Sequence, residues 1–206
     1  WEKTPLDYEK YLSHDLPQQI EGRRSEGFVL PYGDSPLDHE PVGKMVYLDI
    51  LNTAKKYVHI MTPYLILDDE TINALRYAAK RGVDVKIIMP DIPDKKYAKM
   101  LTNFNYGPLL KGGVRIYEYT PGFIHAKQIL TEDAAIVGTI NMDYRSFYLH
   151  YENGVWMSGE KIQNDIHRDF EKMFQESKEI SYEDWQRRPL VWKLIQPLLN
   201  LFATLF

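Results

Sequence analysis

Cysteine is absent from this 206-residue chain, so disulfide frameworks and thiolate zinc sites are excluded, although no compartment follows from that. Basic charge is outnumbered: 25 Lys and Arg against 29 Asp and Glu give a net charge of −4. An enzyme of nucleic acid ordinarily displays a basic surface, so this balance weighs against one while leaving room for local basic patches. No internal repeat is visible, and no secretory signal opens the chain at Trp1. Nor is there an apolar run of membrane-spanning length. The best candidate, 190–206, is interrupted by Lys193 and Pro197 and falls short of the ~20 residues a span requires. With 44% hydrophobic residues, the chain is long enough for one core with an appendage.

Residues 1–39, rich in charge, Pro and Gly, read as a linker with one short helix near Asp7-Tyr8-Glu9-Lys10-Tyr11. Beyond Pro41, Met45, Val46, Leu48, Ile50, Leu51 and Ala54 recur at helical period and stop at Lys55-Lys56. Tyr57 to Met61 reads as a strand. Asp68-Asp69-Glu70 opens a second helix that Gly82 ends. Val83 to Met89 is a dense apolar strand of the kind buried on both faces, Pro93 to Lys111 reads as helix, and Val114 to Tyr119 as strand. His125 to Leu130, Ala134 to Val137 and Tyr151 to Met157 add strands that run antiparallel through short turns. The alternation predicts an α/β fold with a mixed β-sheet flanked by helices.

His125-Ala126-Lys127, then Glu132-Asp133, then Gly138-Thr139-Ile140-Asn141 form the most informative stretch. In an extended strand His125 and Lys127 project from one side while Ala126 points to the other. Thr139 and Asn141 repeat the two-residue spacing after a short turn, which sets a hydroxyl and a carboxamide beside the first pair. Such a group suits phosphoryl transfer: an imidazole that attacks phosphorus or protonates a leaving alcohol, and a cation with an amide donor for the nonbridging oxygens. A His-x-Lys triplet alone is weak; the extended string is far more specific.

On these residues the chain resembles the phospholipase D superfamily, whose signature is His-x-Lys, four residues, Asp, then Gly-[Ser/Thr]-x-Asn. More narrowly, Gly122 to Trp156 looks like a bacterial cardiolipin synthase. The likeness also takes in Thr62-Pro63-Tyr64, Gly82 to Lys86, Gly113 to Tyr119, Glu183-Asp184-Trp185 and Arg188-Pro189-Leu190, roughly residues 27–206. It departs at the acidic position, where Glu132 stands in place of Asp and the following turn is one residue short. Asp133 is the alternative occupant. The resemblance also implies that Glu152 hydrogen-bonds the motif histidine and fixes its tautomer.

The histidine chemistry the resemblance implies needs two His-x-Lys motifs, and His14, His39, His59, His150 and His167 all lack a lysine two places on. The expectation is therefore a carboxy-terminal half whose missing amino-terminal half carries the second motif; the start at Trp1, without Met, points the same way. The alternative is a one-motif chain that pairs with a second copy of itself. A solitary monomer is expected to be inactive.

The division expected is a connector over 1–39, a phospholipase D-like catalytic half-domain over 40–180, and an amphipathic membrane-associating tail over 181–206. In that tail Trp185 and Arg188 suit a headgroup region, and Leu190, Leu194, Leu198 and Leu201 an acyl boundary. Catalysis is assigned to His125, Lys127, Glu132, Asn141 and Glu152, with Thr139, Tyr64 and Arg145 on the substrate. Tyr64 reads equally as packing, Arg145 equally as the ion-pair partner of Asp143 or another acid, and His150 as pocket lining. No cofactor is expected, and histidines and acids are too sparsely grouped for a metal site. Phosphatidylglycerol and other phospholipids at the surface of the bacterial cell membrane are the implied substrates, and no nucleic acid is expected. A phosphodiesterase, phospholipase or nuclease homodimer and a non-catalytic membrane-binding half are the competing readings.

Overall fold

The computed structural model describes residues 27–203. The short helix expected near Asp7 lies outside them, as do Leu205 and Phe206 of the tail.

Nine of the segments arise from the patterns expected. Helix α1 (Val42–Thr53) follows strand β1 (Phe28–Asp34), β2 is Tyr57–Met61, and a short β3 (Leu65–Ile66) precedes α2 (Asp69–Lys80). The Asp68 carboxylate accepts from Thr71 N at the start of α2, and Gly82 beyond its end takes φ 92°, a value that a β-carbon disfavours. Next come β4 (Asp84–Pro90), α3 (Lys96–Lys111) and β5 (Arg115–Tyr119), then β6 (Gln128–Thr131), β7 (Ala135–Gly138) and a short β8 (Met142–Asp143). The chain closes with α4 (Tyr144–Tyr148), β9 (Glu152–Ser158), α5 (Glu160–Gln175), β10 (Ser177–Ile180), α6 (Tyr182–Gln186) and α7 (Leu190–Asn200).

The main sheet has eight strands in the order β1-β9-β7-β6-β2-β4-β5-β10, and β3 pairs with β8 in a small second sheet. Strands β2, β4 and β5 are parallel, and their neighbours on both sides run antiparallel to them. The mixed sheet expected from sequence is thus present. Alternation along β2 divides the core: Val58 and Ile60 face the larger apolar cluster with α1, α2 and α3, while Met61 faces a smaller one closed by Phe170 of α5. Lys44 of α1 is nearly buried, and its ammonium is held by Asp68 at 2.7 Å, Glu70 at 2.6 Å and the Tyr148 hydroxyl at 2.7 Å, which joins three helices through one charge.

The boundary at residue 39 is corrected. Phe28–Asp34 pairs with β9 along its whole length as the edge of the sheet, and buried Asp34 accepts from Gly43 N at 2.7 Å to cap α1. Pro31 and Gly33 masked this strand in the sequence; an edge strand tolerates proline because one side of its backbone has no ladder to complete. The linker reading of 1–26 lies outside the described residues.

The tail is likewise attached rather than free. Trp185 donates from Nε1 to Asn103 O at 2.6 Å, and its ring lies so close to Gly107 that a β-carbon there would stand 2.4 Å away. Gln196, fully buried, donates to Met100 O at 3.1 Å and accepts from Arg188 Nε at 2.9 Å. These contacts dock α6 and α7 on α3. The opposite face of α7 is open, with Leu190, Leu194, Leu198 and Leu201 between 62% and 75% exposed. Among the described residues no helix is long and apolar enough to cross a membrane.

Candidate active site

Because β2 and β4 are parallel, the segments that follow them, Thr62-Pro63-Tyr64 and Asp91 to Asp94, emerge at one end of the sheet. Strand β6 runs against β2 with Gln128 opposite Met61, so His125-Ala126-Lys127 enters at that same end. Gly138 N donates to Lys127 O at 3.2 Å and Thr139 N to Asn153 O at 2.9 Å, which continues the ladder from β6 across β7 to β9. Lys127, Gly138-Thr139 and Glu152-Asn153 therefore stand side by side, at the strand ends where α/β folds commonly build sites.

The His-x-Lys triplet precedes β6 instead of forming part of it, because β2 stops at Met61 and turns away at Pro63, leaving no partner on that side. Its side chains nevertheless meet. Lys127 Nζ donates to His125 O at 2.8 Å and lies 3.0 Å from Nδ1 and 3.2 Å from Nε2 of the same residue. Partial burial, then the Lys127 charge, lowers the His125 imidazole below its ordinary pKa, which favours the neutral, nucleophilic ring. Burial lowers Lys127 as well, while Glu152 and Asp143 act to retain its proton.

The glycine of the second motif has a steric cause. A β-carbon on Gly138 would stand 2.4 Å from Asn153 O and 2.8 Å from Gly154 Cα, so only glycine lets β7 approach β9 this closely. The approach sets Thr139 against Glu152: the Thr139 hydroxyl donates to the Glu152 carboxylate and accepts from Asn153 N at 2.9 Å. Ser146, which sequence reasoning did not single out, joins the others. It accepts from Asn141 Nδ2 at 3.1 Å and donates to Glu152 Oε1 at 3.0 Å. The readable signal was the Asp143 cap, whose carboxylate accepts from Ser146 N at 2.8 Å and opens α4.

Two expected roles change. Glu152 does not hold His125 in this structure: its oxygens serve Thr139 and Ser146, and the imidazole beside it is that of His150, with Nδ1 3.6 Å away. His125 has its ring contacts with Lys127 and Phe123. Glu132 leaves the catalytic group altogether. It sits past the far end of β6, where four intervening strand residues put it roughly 16 Å along the chain from Lys127. There its carboxylate accepts from Lys55 N at 2.6 Å and Lys56 N at 3.1 Å, closing the turn into β2. Burial alone would raise its pKa, but these backbone donors hold it below the usual carboxylate range. The longer side chain thus reaches backbone partners across the shortened turn, and Glu132 rather than Asp133 makes these bonds.

The residues read as substrate contacts divide. Among the described residues Arg145 forms no ion pair with Asp143 or another acid; its Nε donates to His150 Nε2 at 3.3 Å, which leaves the His150 proton on Nδ1 toward Glu152. Tyr64 donates to Asp94 Oδ2 at 2.5 Å. Tyr64, Lys95, Asn141, Asp143, Arg145 and His150 line one cavity of ≈ 260 Å³, a volume near the lower end for small-ligand sites. Thr139 is already engaged by protein partners.

The expectation that histidines and acids do not gather is also revised. His59 of β2 and His167 and Glu171 of α5 bring ligand atoms within 4.8 Å of one another, away from the site just described. The smaller core cluster surrounds His59, and burial followed by the Lys86 charge pushes its imidazole down to about 4.

A mixed sheet of this order, with His-x-Lys against Gly-Thr-x-Asn at one end, defines a phospholipase D-like domain. The family is narrower: residues 47–174 match the group described as cardiolipin synthase, PLD-like domain, and the chain belongs to it. A protein of Streptococcus mutans described as uncharacterized is 48% identical over 208 residues, covering 100% of this chain and 44% of its own length. A cardiolipin synthase of Clostridium perfringens is 35% identical over 206 residues, covering 97% of this chain and 42% of its own. The chain thus spans less than half the length of these relatives. The solved phospholipase D family member Nuc from Salmonella typhimurium superposes with a TM-score of 0.65 at 19% identity, over 76% of this chain and 99% of its own, a likeness of fold.

Proposed function

We propose that this chain supplies one catalytic half of a phosphatidyltransferase that joins two phosphatidylglycerol molecules into cardiolipin. The observation that carries this reading is the Lys127 ammonium 3.0 Å from a neutral-favouring His125 imidazole, beside the Thr139-Glu152-Ser146-Asn141 chain of hydrogen bonds. In the forward step His125 attacks phosphorus, the P–O bond to glycerol breaks, and a second histidine protonates the departing alkoxide. The hydroxyl of another phosphatidylglycerol then attacks the phosphohistidine, gives its proton to that second histidine and releases His125. The roles of the two histidines can be exchanged without changing the balance. Lys127 and Asn141 neutralise the nonbridging oxygens, and Tyr64 and Arg145 border the headgroup cavity. Glu152 supports the set through Thr139, Ser146 and His150.

No His-x-Lys other than His125-Ala126-Lys127 occurs in the sequence, so the second histidine comes from the other half of a longer protein or from a second copy. Lipid product analysis separates these. Phosphatidylglycerol given to this chain alone should yield neither cardiolipin nor phosphatidic acid when the other half is required, whereas self-pairing makes the rate rise as the square of chain concentration when dilute. Glycerol release without cardiolipin would replace the transferase reading with hydrolysis.

The open face of α7 supports the reading of a membrane contact, and the proposed location of the site is the surface of the bacterial membrane. Leu194 and Leu198 are 73% and 62% exposed, so charging them leaves the domain intact. Each leucine transferred to lipid contributes about 1.5–3 kcal/mol. Leu194→Glu with Leu198→Glu should therefore weaken flotation with phosphatidylglycerol vesicles by roughly a hundredfold or more; undiminished flotation would remove α7 from the contact.

A further inference from the structure

We propose that His59, His167 and Glu171 form a binding site for a divalent transition-metal ion of the zinc class, which clamps α5 onto the sheet. The strongest observation is His59 itself. It is 3% exposed, and among the described residues neither Nδ1 nor Nε2 has a hydrogen-bond partner. A buried polar group left unpaired costs on the order of 1–3 kcal/mol, so a histidine in this position calls for something that accepts its lone pair. Leucine or phenylalanine would fill the same space without that cost. His167 Nδ1 is also buried, with no hydrogen-bond partner among the described residues, and its neighbour one helical turn on is Glu171, with His167 Nε2 3.9 Å from Glu171 Oε1.

The three come from two elements in a pattern suited to chelation. His59 projects from β2, and His167 and Glu171 occupy the i and i+4 positions of α5, on one helix face. Two imidazoles and a carboxylate are a donor set that zinc accepts, with a fourth position for water. Donor atoms now within 4.8 Å of one another must close to roughly 3.3 Å for tetrahedral bonds of about 2.0–2.1 Å. The side chains that move are the open ones: His167 is 40% and Glu171 49% exposed. The rings of His59 and His167 lie 5.8 Å apart at 20°, so His167 leaves this stacking by turning about its Cβ–Cγ bond.

The surroundings are compatible with a cation. Lys86 of β4 and Arg115 of β5 oppose one, but both lie against Asp84, with Lys86 Nζ at 2.8 Å and Arg115 Nη1 at 3.7 Å from its carboxylate. Asp84 Oδ2 also stands 3.9 Å from His59 Nε2. That is the place of an outer carboxylate that orients a ligating imidazole, and it leaves Nδ1 of His59 for the ion. The remaining neighbours, Tyr57, Phe170 and Phe174, present rings to His59.

The test is zinc titration of the chelator-treated chain by calorimetry, with cobalt as a spectroscopic probe of tetrahedral nitrogen and oxygen ligation. One zinc per chain, a tetrahedral cobalt spectrum and a zinc-dependent rise in melting temperature are expected. His167→Ala and Glu171→Gln each alter an exposed side chain, so folding survives, and each should weaken zinc at least roughly tenfold. His150→Ala should bind as the parent does. Failure of the parent to bind one zinc, or parental affinity in both His167→Ala and Glu171→Gln, would overturn the proposal.

Discussion

Replacing His125 by alanine is expected to lower phosphodiester turnover roughly 10⁴-fold or more while leaving the fold unchanged, because removal of a nucleophile or of its proton-transfer partner eliminates a step. The stability half of this expectation follows from position. His125 is exposed and precedes β6, and its described ring partners are Lys127 and Phe123, so a surface substitution of this kind stays within about 0.5 kcal/mol. The rate half is measured with the proposed two-motif assembly and phosphatidylglycerol, by initial rate and by intact mass of the protein quenched in alkali, where a phosphohistidine bond survives. Turnover that survives His125→Ala would remove the motif from the chemistry.

The pH profile of the parent gives an independent check. Partial burial, then Lys127, holds the imidazole below its ordinary value. With His125 as the proposed nucleophile, its neutral ring is expected to persist as pH falls through the range where a free histidine would protonate, and the acid limb of the rate to lie below that range. If His125 instead acts as the acid, its loss of proton sets the alkaline limb, displaced in the same direction. Lys127→Met removes the charge that contributes to the shift, so the limb assigned to His125 should move up in pH while the rate falls.

The parts of this site legible in the sequence are those fixed by short-range pattern. Two-residue spacing named His125 with Lys127 and Thr139 with Asn141, and the ladder from Lys127 O to Gly138 N set the two groups beside each other. The dense apolar run of β4 and the Asp68 and Gly82 ends of α2 were equally direct. What escaped depends on distant partners. Glu152 reads as an orienting acid for the motif histidine, yet which imidazole it faces is decided by the turn at Leu149 and by Arg145, which delivers His150 to it. Strand β1 buries little of Phe28, Val29 or Leu30, each more than 60% exposed, so no alternation of inward apolar residues marked it. His59 and His167 meet only because α5 crosses the sheet above β2, a relation that no local period encodes.

Helix α5 makes the same point energetically, and Phe170→Ala should cost about 3–5 kcal/mol. Phe170 is the fully buried residue of this helix, and it inserts among Met61, Ile88, Tyr117, Leu130 and Ala135. Ile166, Met173 and Phe174 flank it but are only partly buried, as are Ile162, Gln163 and His167, so truncation leaves a cavity at the centre of the small cluster on which α5 chiefly rests. In a chain of 206 residues each kilocalorie lowers the melting midpoint by about 2–4 °C, which puts the expected fall at roughly 6–20 °C. Phe174→Ala, taken from the half-open edge of the same cluster, should cost less. Thermal and denaturant unfolding of both variants measures the difference; a Phe170→Ala loss under about 1 kcal/mol would mean that α5 is held by its ends and not by this ring. The helix carries no residue of the phosphodiester site, but its packing fixes the strands β6 and β7 from behind. Their loops bear Lys127 and Thr139 on the active end, so the damage to stability in Phe170→Ala should be accompanied by a smaller loss of turnover at temperatures well below its midpoint.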